Sequence, residues 1–232
     1  MQDLNDYLMK NFGKPTNEIS KTEYDNTVIY EEFNMISFDD VAKDFYERNN
    51  EFNGKFSSAD GLIIIEKENK NQIFFFEFKN IDYSDEKDRQ MGIYYLNNCL
   101  KQMKECEHEC EAYDEINTIS EYLIDKSHLS LRSKPSDSLS LFYFIMKDYY
   151  GKEENNEICI NKLFKTEKFF FLVSKTQAQY LPFKNKSNRQ NNIIRPLDFL
   201  KRFEPYHYNM VLAVNKNGFD RYFYKRNKKY LN

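Results

Sequence analysis

Asp60 and the triplet Glu77-Phe78-Lys79 are the residues of this chain whose types and spacing could do chemistry. Two carboxylates suit a hard cation such as Mg²⁺ or Mn²⁺, and the backbone carbonyl of Phe78, between the two active side chains, could add a third oxygen ligand. A neighbouring lysine could orient or help deprotonate a water and stabilise charge developing on a phosphoryl group. Residue type and spacing therefore point to metal-assisted hydrolysis of a phosphodiester.

A β-hairpin is the element expected to position these residues. Apolar runs at 62–65 and 73–76 flank a polar turn at 67–71. Because side chains alternate along a strand, Glu77 and Lys79 should share one face while Phe78 points to the other. Antiparallel pairing would then place Asp60 beside Glu77 and Lys79. The competing interpretation is an ordinary hairpin whose terminal charges are solvated.

This pattern resembles the PD-(D/E)xK nuclease superfamily. The resemblance implies a restriction-endonuclease-like αβββαβ core of α/β (α+β) class, with a small mixed sheet flanked by helices. It also implies Mg²⁺-dependent cleavage of DNA, with Asp60 and Glu77 as metal-binding acids and Lys79 as the catalytic lysine. Ala59 stands where the family usually has proline. RNA remains open as a substrate, and a homodimer remains open because enzymes that cut both strands are commonly dimers.

Two other classes of protein compete with a nuclease. One is a catalytically inactive nuclease-fold module that binds nucleic acid or protein, in which the triad does not assemble. The other is an unrelated interaction protein, in which long helices around 85–126 form an interface. Assembly of the two carboxylates around one cation would favour the enzyme over both.

Further site residues are expected outside the hairpin. Many members of the superfamily add an acid from the first helix, for which Glu31, Glu32 and Glu47 are candidates, each also readable as a solvated surface acid. Gln90 and Tyr94 resemble the QxxxY element of RecB-type members, and their spacing places both on one helix face. That face could lie over the nucleic acid.

Two basic segments could contact phosphates. Arg132 and Lys134 stand among serines before Pro135, where a helix start would suit a phosphate; the alternative is a helix simply capped by Ser136. The segment 184–232 carries twelve Lys and Arg against three Asp and Glu. Its basic residues alternate with aromatics, a pattern that suits phosphate contact and base stacking; it also suits a solvated tail. The nucleic-acid contacts expected there are Lys225, Arg226, Lys228 and Lys229.

One domain, 1–232, with a core of about 35–175, follows from the length and from the absence of a linker or repeat. The pattern predicts a mixed α/β layout with helices, a strand and a closing C-terminal β-hairpin turned by Asn-Gly. The helices are expected at 3–11, 38–48 (capped by Ser37), 85–112, 114–126, 136–150 and 195–203, the strand at 168–174, and the hairpin strands at 208–214 and 219–224. The segment from Thr27 to Ile36 reads as a strand or as the start of a helix.

Composition favours a cytoplasmic protein. No apolar run reaches transmembrane length, and the N-terminal residues have neither the basic region nor the apolar core of a signal peptide. Cys99, Cys106 and Cys110 fall on one face of the helix expected at 85–112 rather than at CxxC-type spacing. They are therefore expected to be reduced and buried, with no iron–sulfur cluster.

Overall fold

A computed structural model describes residues 1–21, 28–49, 55–68, 70–80, 113–151, 156–175 and 198–231. Three predictions lie outside these ranges: the helix at 85–112, the Gln90–Tyr94 element, and the cysteines at 99, 106 and 110. The described part of the chain contains no helix that is long and apolar enough to cross a membrane.

A six-stranded mixed sheet forms the centre of the structure, with its strands adjacent in chain order. Neighbours are antiparallel from the first strand to the fourth and parallel from the fourth to the sixth. The strands are β1 (Gly13–Pro15), β2 (Asn34–Ser37), β3 (Gly61–Lys67), β4 (Lys70–Phe78), β5 (Glu167–Val173) and β6 (Met210–Val214). The mixed α/β class, the central hairpin and the strand near 168–174 are thereby confirmed. In the segment predicted from Thr27 to Ile36, residues 28–33 lie outside regular structure and β2 begins at Asn34.

Helices cover both faces of this sheet. The helices before the last strand are α1 (Gln2–Phe12), α2 (Thr16–Ile19), α3 (Phe38–Arg48), α4 (Tyr113–Tyr150), α5 (Asn156–Phe164) and a 3₁₀ helix at Asp198–Phe203. The helices predicted at 3–11 and 38–48 are confirmed. Ser37 occupies the N-cap of α3, although its side chain makes no capping hydrogen bond.

The alternation of β4 divides the core into two layers. Ile73 and Phe75 face one layer, which includes residues of α1, α3 and α4. Phe74 and Phe76 face the other, together with Phe223 from the C-terminal segment. A continuous apolar run suits a strand that is covered on both faces. Glu77 follows Phe75 by two residues and therefore lies on the side of α3 and α4.

The predicted break between two helices near Pro135 is wrong, because α4 runs unbroken from Tyr113 to Tyr150 with Pro135 inside it. Proline removes one backbone hydrogen bond and usually kinks or ends a helix. Here the flanking residues Leu131 and Phe142 are buried in the core, and the Tyr208 hydroxyl donates a 2.6 Å hydrogen bond to the Pro135 carbonyl. Tertiary packing thus outweighs the local penalty.

The predicted C-terminal hairpin is also wrong. β6 pairs in parallel with β5, and the chain beyond it is helical: α6 (Lys216–Phe219), a π-helical turn (Asp220–Tyr224), α7 (Lys225–Asn227) and a 3₁₀ turn (Lys228–Tyr230). Asn215 caps this segment, since its Oδ1 accepts from the Gly218 N–H at 3.0 Å. Phe219 and Phe223, four residues apart, are both fully buried, which is helical rather than strand periodicity.

Candidate active site

The register of the hairpin places Asp60 opposite Glu77. Gly61 pairs with Phe76, so the residues one step beyond that pair are neighbours at the same edge of the sheet. The Phe78 N–H donates a 2.6 Å hydrogen bond to Asp60 Oδ2, and the Phe38 N–H donates to the Asp60 carbonyl at 3.0 Å. The predicted juxtaposition is confirmed. The Phe78 carbonyl as a metal ligand stays a prediction.

Glu77 is a fully buried carboxylate, with 0% of its side chain exposed, between two lysines. Lys79 Nζ lies 2.8 Å from Glu77 Oε1, and Lys134 Nζ lies 2.6 Å from Glu77 Oε2. The Lys79 side chain is 34% exposed and thus connects the buried acid with solvent. Alternation along β4, predicted from the sequence, accounts for the meeting of Glu77 and Lys79.

Lys134 faces the two acids rather than a phosphate at a helix start. Its Nζ also lies 3.8 Å from Asp60 Oδ1, and its side chain is only 13% exposed. The helix-start hypothesis for Arg132 and Lys134 is wrong because α4 already passes through this position. Ser136 likewise caps no helix, and its hydroxyl donates to the Ser133 carbonyl. The side chain of Arg132 lies outside the described part of the chain.

Asp39, in the first turn of α3, is the acid that sequence reasoning missed. Its Oδ1 accepts a hydrogen bond from the Ser58 hydroxyl. Although Asp39 retains solvent access, its pKa is raised, mainly by partial desolvation and further by the charge of Glu77, while Ser58, Lys134 and Lys79 act against the rise. Asp39 thus belongs electrostatically to the same cluster. The Ser37–Gly61 pairing, which brings the start of α3 beside Asp60, explains its position.

The acids predicted from the first helix lie elsewhere. Glu47 is exposed near the C-terminus of α3, and Glu32 is exposed ahead of β2. Glu31 is partly buried there, with its Oε2 lacking a hydrogen-bond partner. No contact among the described residues joins any of the three to Asp60 or Glu77. Their assignment as further site acids stays a prediction.

Asp60 and Glu77 repel each other when both carry a negative charge. The pKa of Asp60 is raised from 3.8 to about 7, first by burial and then by the negative charge of Glu77. Lys134, Lys79 and the Phe78 N–H oppose the rise. Two carboxylates this close ionise together only when positive charge compensates them. A site of this kind favours additional cationic charge.

The donor set fits a hard divalent cation in part. Glu77 Oε1 is buried and accepts no aligned hydrogen bond despite the nearby Lys79 ammonium. The Lys134 ammonium approaches both Glu77 and Asp60, so both carboxylates reach one common position. Among the described residues, no group of three His, Cys, Asp or Glu side chains is arranged to hold an ion. Two carboxylates with water ligands would match the habit of Mg²⁺, which keeps several waters.

The predicted basic contacts of the C-terminus lie away from this cluster. Lys229 Nζ stacks 4.7 Å from the Tyr230 ring, which Lys67 also approaches at 5.4 Å. Lys67 is the last residue of β3, and Asp60 directly precedes its first residue. At ~3.3 Å per residue, roughly 20 Å of strand therefore separate Lys67 from Asp60. Lys225 pairs with Asp220 at 2.5 Å. The residues concerned, Lys225, Arg226, Lys228 and Lys229, are all exposed.

In the metal-free protein, the free energy of unfolding should fall as the pH rises from about 4 to about 7. The folded state raises the pKa of Asp60 from 3.8 to about 7, so it retains a proton that the unfolded state releases. This contribution is complete below the unfolded pKa and is lost as the pH passes the folded one. Urea unfolding in EDTA at about pH 5 and pH 8 tests this, with Asp60→Asn as the comparison. The variant should lose less stability between the two pH values; equal losses would contradict the prediction.

The chain matches no family model, no curated protein and no solved structure at a level that indicates a relationship. The geometry of the site therefore carries the functional argument by itself.

Proposed function

We propose that this protein is a metal-dependent nuclease of the PD-(D/E)xK type, acting as an endonuclease on DNA. The observation that carries the proposal is the fully buried Glu77, held beside Asp60 and two lysines at one edge of the sheet. Burying charges without a functional need is costly, and apolar replacements of buried ion pairs are often as stable. A cluster of acids and lysines in which one acid, here Asp60, has a strongly raised pKa is typical of catalytic sites.

The order of elements supports the restriction-endonuclease-like core implied by the resemblance. When β1, α2, α3 and α5 are left aside, the elements α1, β2, β3, β4, α4 and β5 follow one another as αβββαβ. The three earlier strands are antiparallel neighbours, and β5 lies parallel to β4. The helix α3 is then an addition between the first two strands of that core, and it supplies Asp39.

The chemistry can be assigned to the described side chains. Asp60 and Glu77 would hold a Mg²⁺ or Mn²⁺ ion, which supplies Lewis-acid activation of water and neutralises charge on the phosphoryl oxygens. The Phe78 N–H fixes the orientation of Asp60. Lys79 reaches from Glu77 toward solvent, where its ammonium could orient the attacking water and stabilise the developing negative charge. Partial exclusion of water strengthens these interactions.

A catalytically inactive nuclease-fold module is the second candidate, and one observation favours it. The Lys134 ammonium is shared by Glu77 and Asp60, so the site already contains an internal cation where a metal would be expected. In such a protein the cluster would be structural. Binding of nucleic acid or of a protein partner would then be its function.

Cleavage of supercoiled and linear DNA distinguishes the two candidates. Wild-type protein would be incubated with Mg²⁺ or Mn²⁺, and with EDTA as the metal-free control; a single-stranded RNA would be tested in parallel. The nuclease proposal expects nicking and linearisation of the circle only with metal. Intact DNA under all metal conditions, together with measurable DNA binding, would overturn it in favour of the inactive module.

Replacing Asp39 with asparagine should lower the rate of DNA cleavage about 10-fold, an effect typical of changing a group that surrounds the metal ligands without binding the metal. The variant removes a negative charge that couples to Glu77, Lys79 and Lys134 and retains a side chain that can accept from Ser58. Single-turnover cleavage at saturating Mg²⁺ measures the effect. Asp6→Asn, which makes the same change at an exposed acid of α1, is the matched control. Equal rates for both variants would remove Asp39 from the site.

A further inference from the structure

We propose that a pocket next to the acid cluster binds a phosphate group of the nucleic-acid strand through Lys175 and Lys216. The inference rests on the proposed function, because it takes a nucleic acid as the substrate. Lys175 and Lys216 are not among the nucleic-acid contacts predicted from the sequence. It also provides backbone contacts at the catalytic end of the sheet, where the basic C-terminal turn does not lie.

The pocket lies beyond the carboxyl ends of the three parallel strands. The Lys79 N–H donates to the Val173 carbonyl and the Ser174 N–H donates to the Val214 carbonyl, each at 2.9 Å. These bonds hold the segments that leave β4, β5 and β6 side by side. Ligands of open α/β sheets characteristically bind beyond such strand ends. The cavity measures about 260 Å³ and is lined by Val28, Lys79, Asn80, Ser174, Lys175, Asn215, Lys216 and Asn217.

The chemistry of the lining favours an anion rich in oxygen atoms. Among the described residues that line the cavity, three are lysines and none is acidic. Lys175 and Lys216 are both exposed, so they can approach a phosphate without the cost of burying a charge. Asn80 and Asn217 add amide groups that can donate hydrogen bonds. Phosphate contacts of this kind position a nucleic acid without reading its sequence.

An exposed aromatic ring stands beside the pocket. The Tyr30 side chain is 64% exposed, and Lys216 Nζ lies 4.5 Å from the centroid of its ring. A cation beside an exposed aromatic ring is the combination that nucleic-acid-binding proteins use to hold a phosphate and stack its base. This arrangement favours a nucleotide unit over a free inorganic anion.

Lys79 joins the pocket to the candidate catalytic centre. Lys79 lines the cavity, and its side chain pairs with Glu77 at 2.8 Å. A strand with one phosphate in the pocket would therefore present a neighbouring phosphodiester to Asp60 and Glu77. We assign Lys175 and Lys216 as substrate-binding residues, outside the reacting groups.

The test measures DNA binding without cleavage. Fluorescence anisotropy of a fluorescein-labelled DNA duplex in Ca²⁺ would be followed across a range of KCl concentrations. The Lys175→Gln/Lys216→Gln variant should bind about 10-fold more weakly, with the slope of log K against log salt reduced by about 1 to 2. Tyr30→Ala should weaken binding while leaving that slope unchanged. The matched control is Lys147→Gln/Lys165→Gln, which neutralises two exposed lysines remote from the pocket.

Each outcome decides one question. If the Lys175→Gln/Lys216→Gln variant has the same DNA affinity and salt slope as the control variant, the pocket assignment is overturned, even if the wild type cleaves DNA. If the Lys175→Gln/Lys216→Gln variant binds DNA more weakly but the wild type cleaves no DNA under any metal condition, the pocket assignment is supported and the proposed nuclease function is overturned. Inorganic phosphate should compete with the DNA for the pocket. Equal competition in the wild type and in the Tyr30→Ala variant would support the phosphate contact. Absence of DNA binding by the wild type would overturn the inference.

Discussion

Lys79→Met is expected to lower the rate of metal-dependent DNA cleavage by about 10²- to 10³-fold, the usual cost of removing one group that stabilises transition-state charge. The ammonium of Lys79 lies 2.8 Å from Glu77 and reaches solvent. Methionine keeps the length and apolar stem of the side chain while removing its charge. Asp60→Asn should cause a loss of similar size, because the amide can still accept from the Phe78 N–H but supplies no anionic ligand. Single-turnover nicking of supercoiled DNA in Mg²⁺ measures both.

The control for Lys79→Met is Lys165→Met, which makes the same change at an exposed position between α5 and β5. Its cleavage rate should stay within about twofold of wild type, since isolated surface substitutions rarely alter structure. Urea unfolding would establish that each variant is folded. If Lys79→Met cleaves DNA at the rate of the control variant, Lys79 has no catalytic role. The charges of Glu77 and Lys79 would then serve only the stability of the fold.

Local pattern was sufficient to predict the hairpin and the meeting of its charges. The apolar runs and the polar turn specify the strands, and period-two alternation then specifies which side chains share a face. Because register follows from the turn, the local sequence alone is enough to pair Asp60 with Glu77. The predicted runs at 62–65 and 73–76 lie within the observed strands β3 and β4. This part of the site depends only on residues close in sequence.

The other members of the cluster could not be predicted in the same way. Lys134 meets Glu77 across 57 positions of the chain, and Asp39 reaches the site through the pairing of β2 with β3. Both depend on how a helix is placed against the sheet, which is decided by packing over many residues. The sequence predicts that a helix begins after Pro135, because proline seldom lies in the interior of a helix. The core contacts of Leu131 and Phe142 outweighed that rule.

The C-terminus shows the same competition between local and tertiary signals. Asn217-Gly218 is a strong hairpin turn when strands flank it. The flanking residues also contain Phe219 and Phe223 at helical spacing, and the second face of the sheet offers a surface on which both are buried. Burial of two large aromatics stabilises the helical alternative by several kcal/mol, at roughly 1.5–3 kcal/mol for each side chain. Turn propensity is a smaller effect.

Glu77→Leu is expected to lower the free energy of unfolding by about 3–5 kcal/mol, because it leaves the largely buried Lys134 ammonium without its nearest partner. The Lys134 side chain is 13% exposed and lies 2.6 Å from Glu77 Oε2, so solvent cannot readily replace the lost contact. Equilibrium urea unfolding followed by circular dichroism measures the change. Asp44→Leu is the control, since it breaks a half-exposed pair with Arg48 that should contribute about 1 kcal/mol or less.

The Glu77→Leu/Lys134→Met variant then separates stability from function. With both buried charges removed, its free energy of unfolding should recover most of the loss and approach or exceed that of wild type, as apolar replacements of buried ion pairs often do. A double variant no more stable than Glu77→Leu would contradict this. If the double variant folds stably yet cleaves no DNA, the charges are retained for chemistry rather than for the fold, because stabilising substitutions at functional sites characteristically sacrifice activity. Lys134 would then be the residue that keeps the acid pair compensated until substrate and metal arrive.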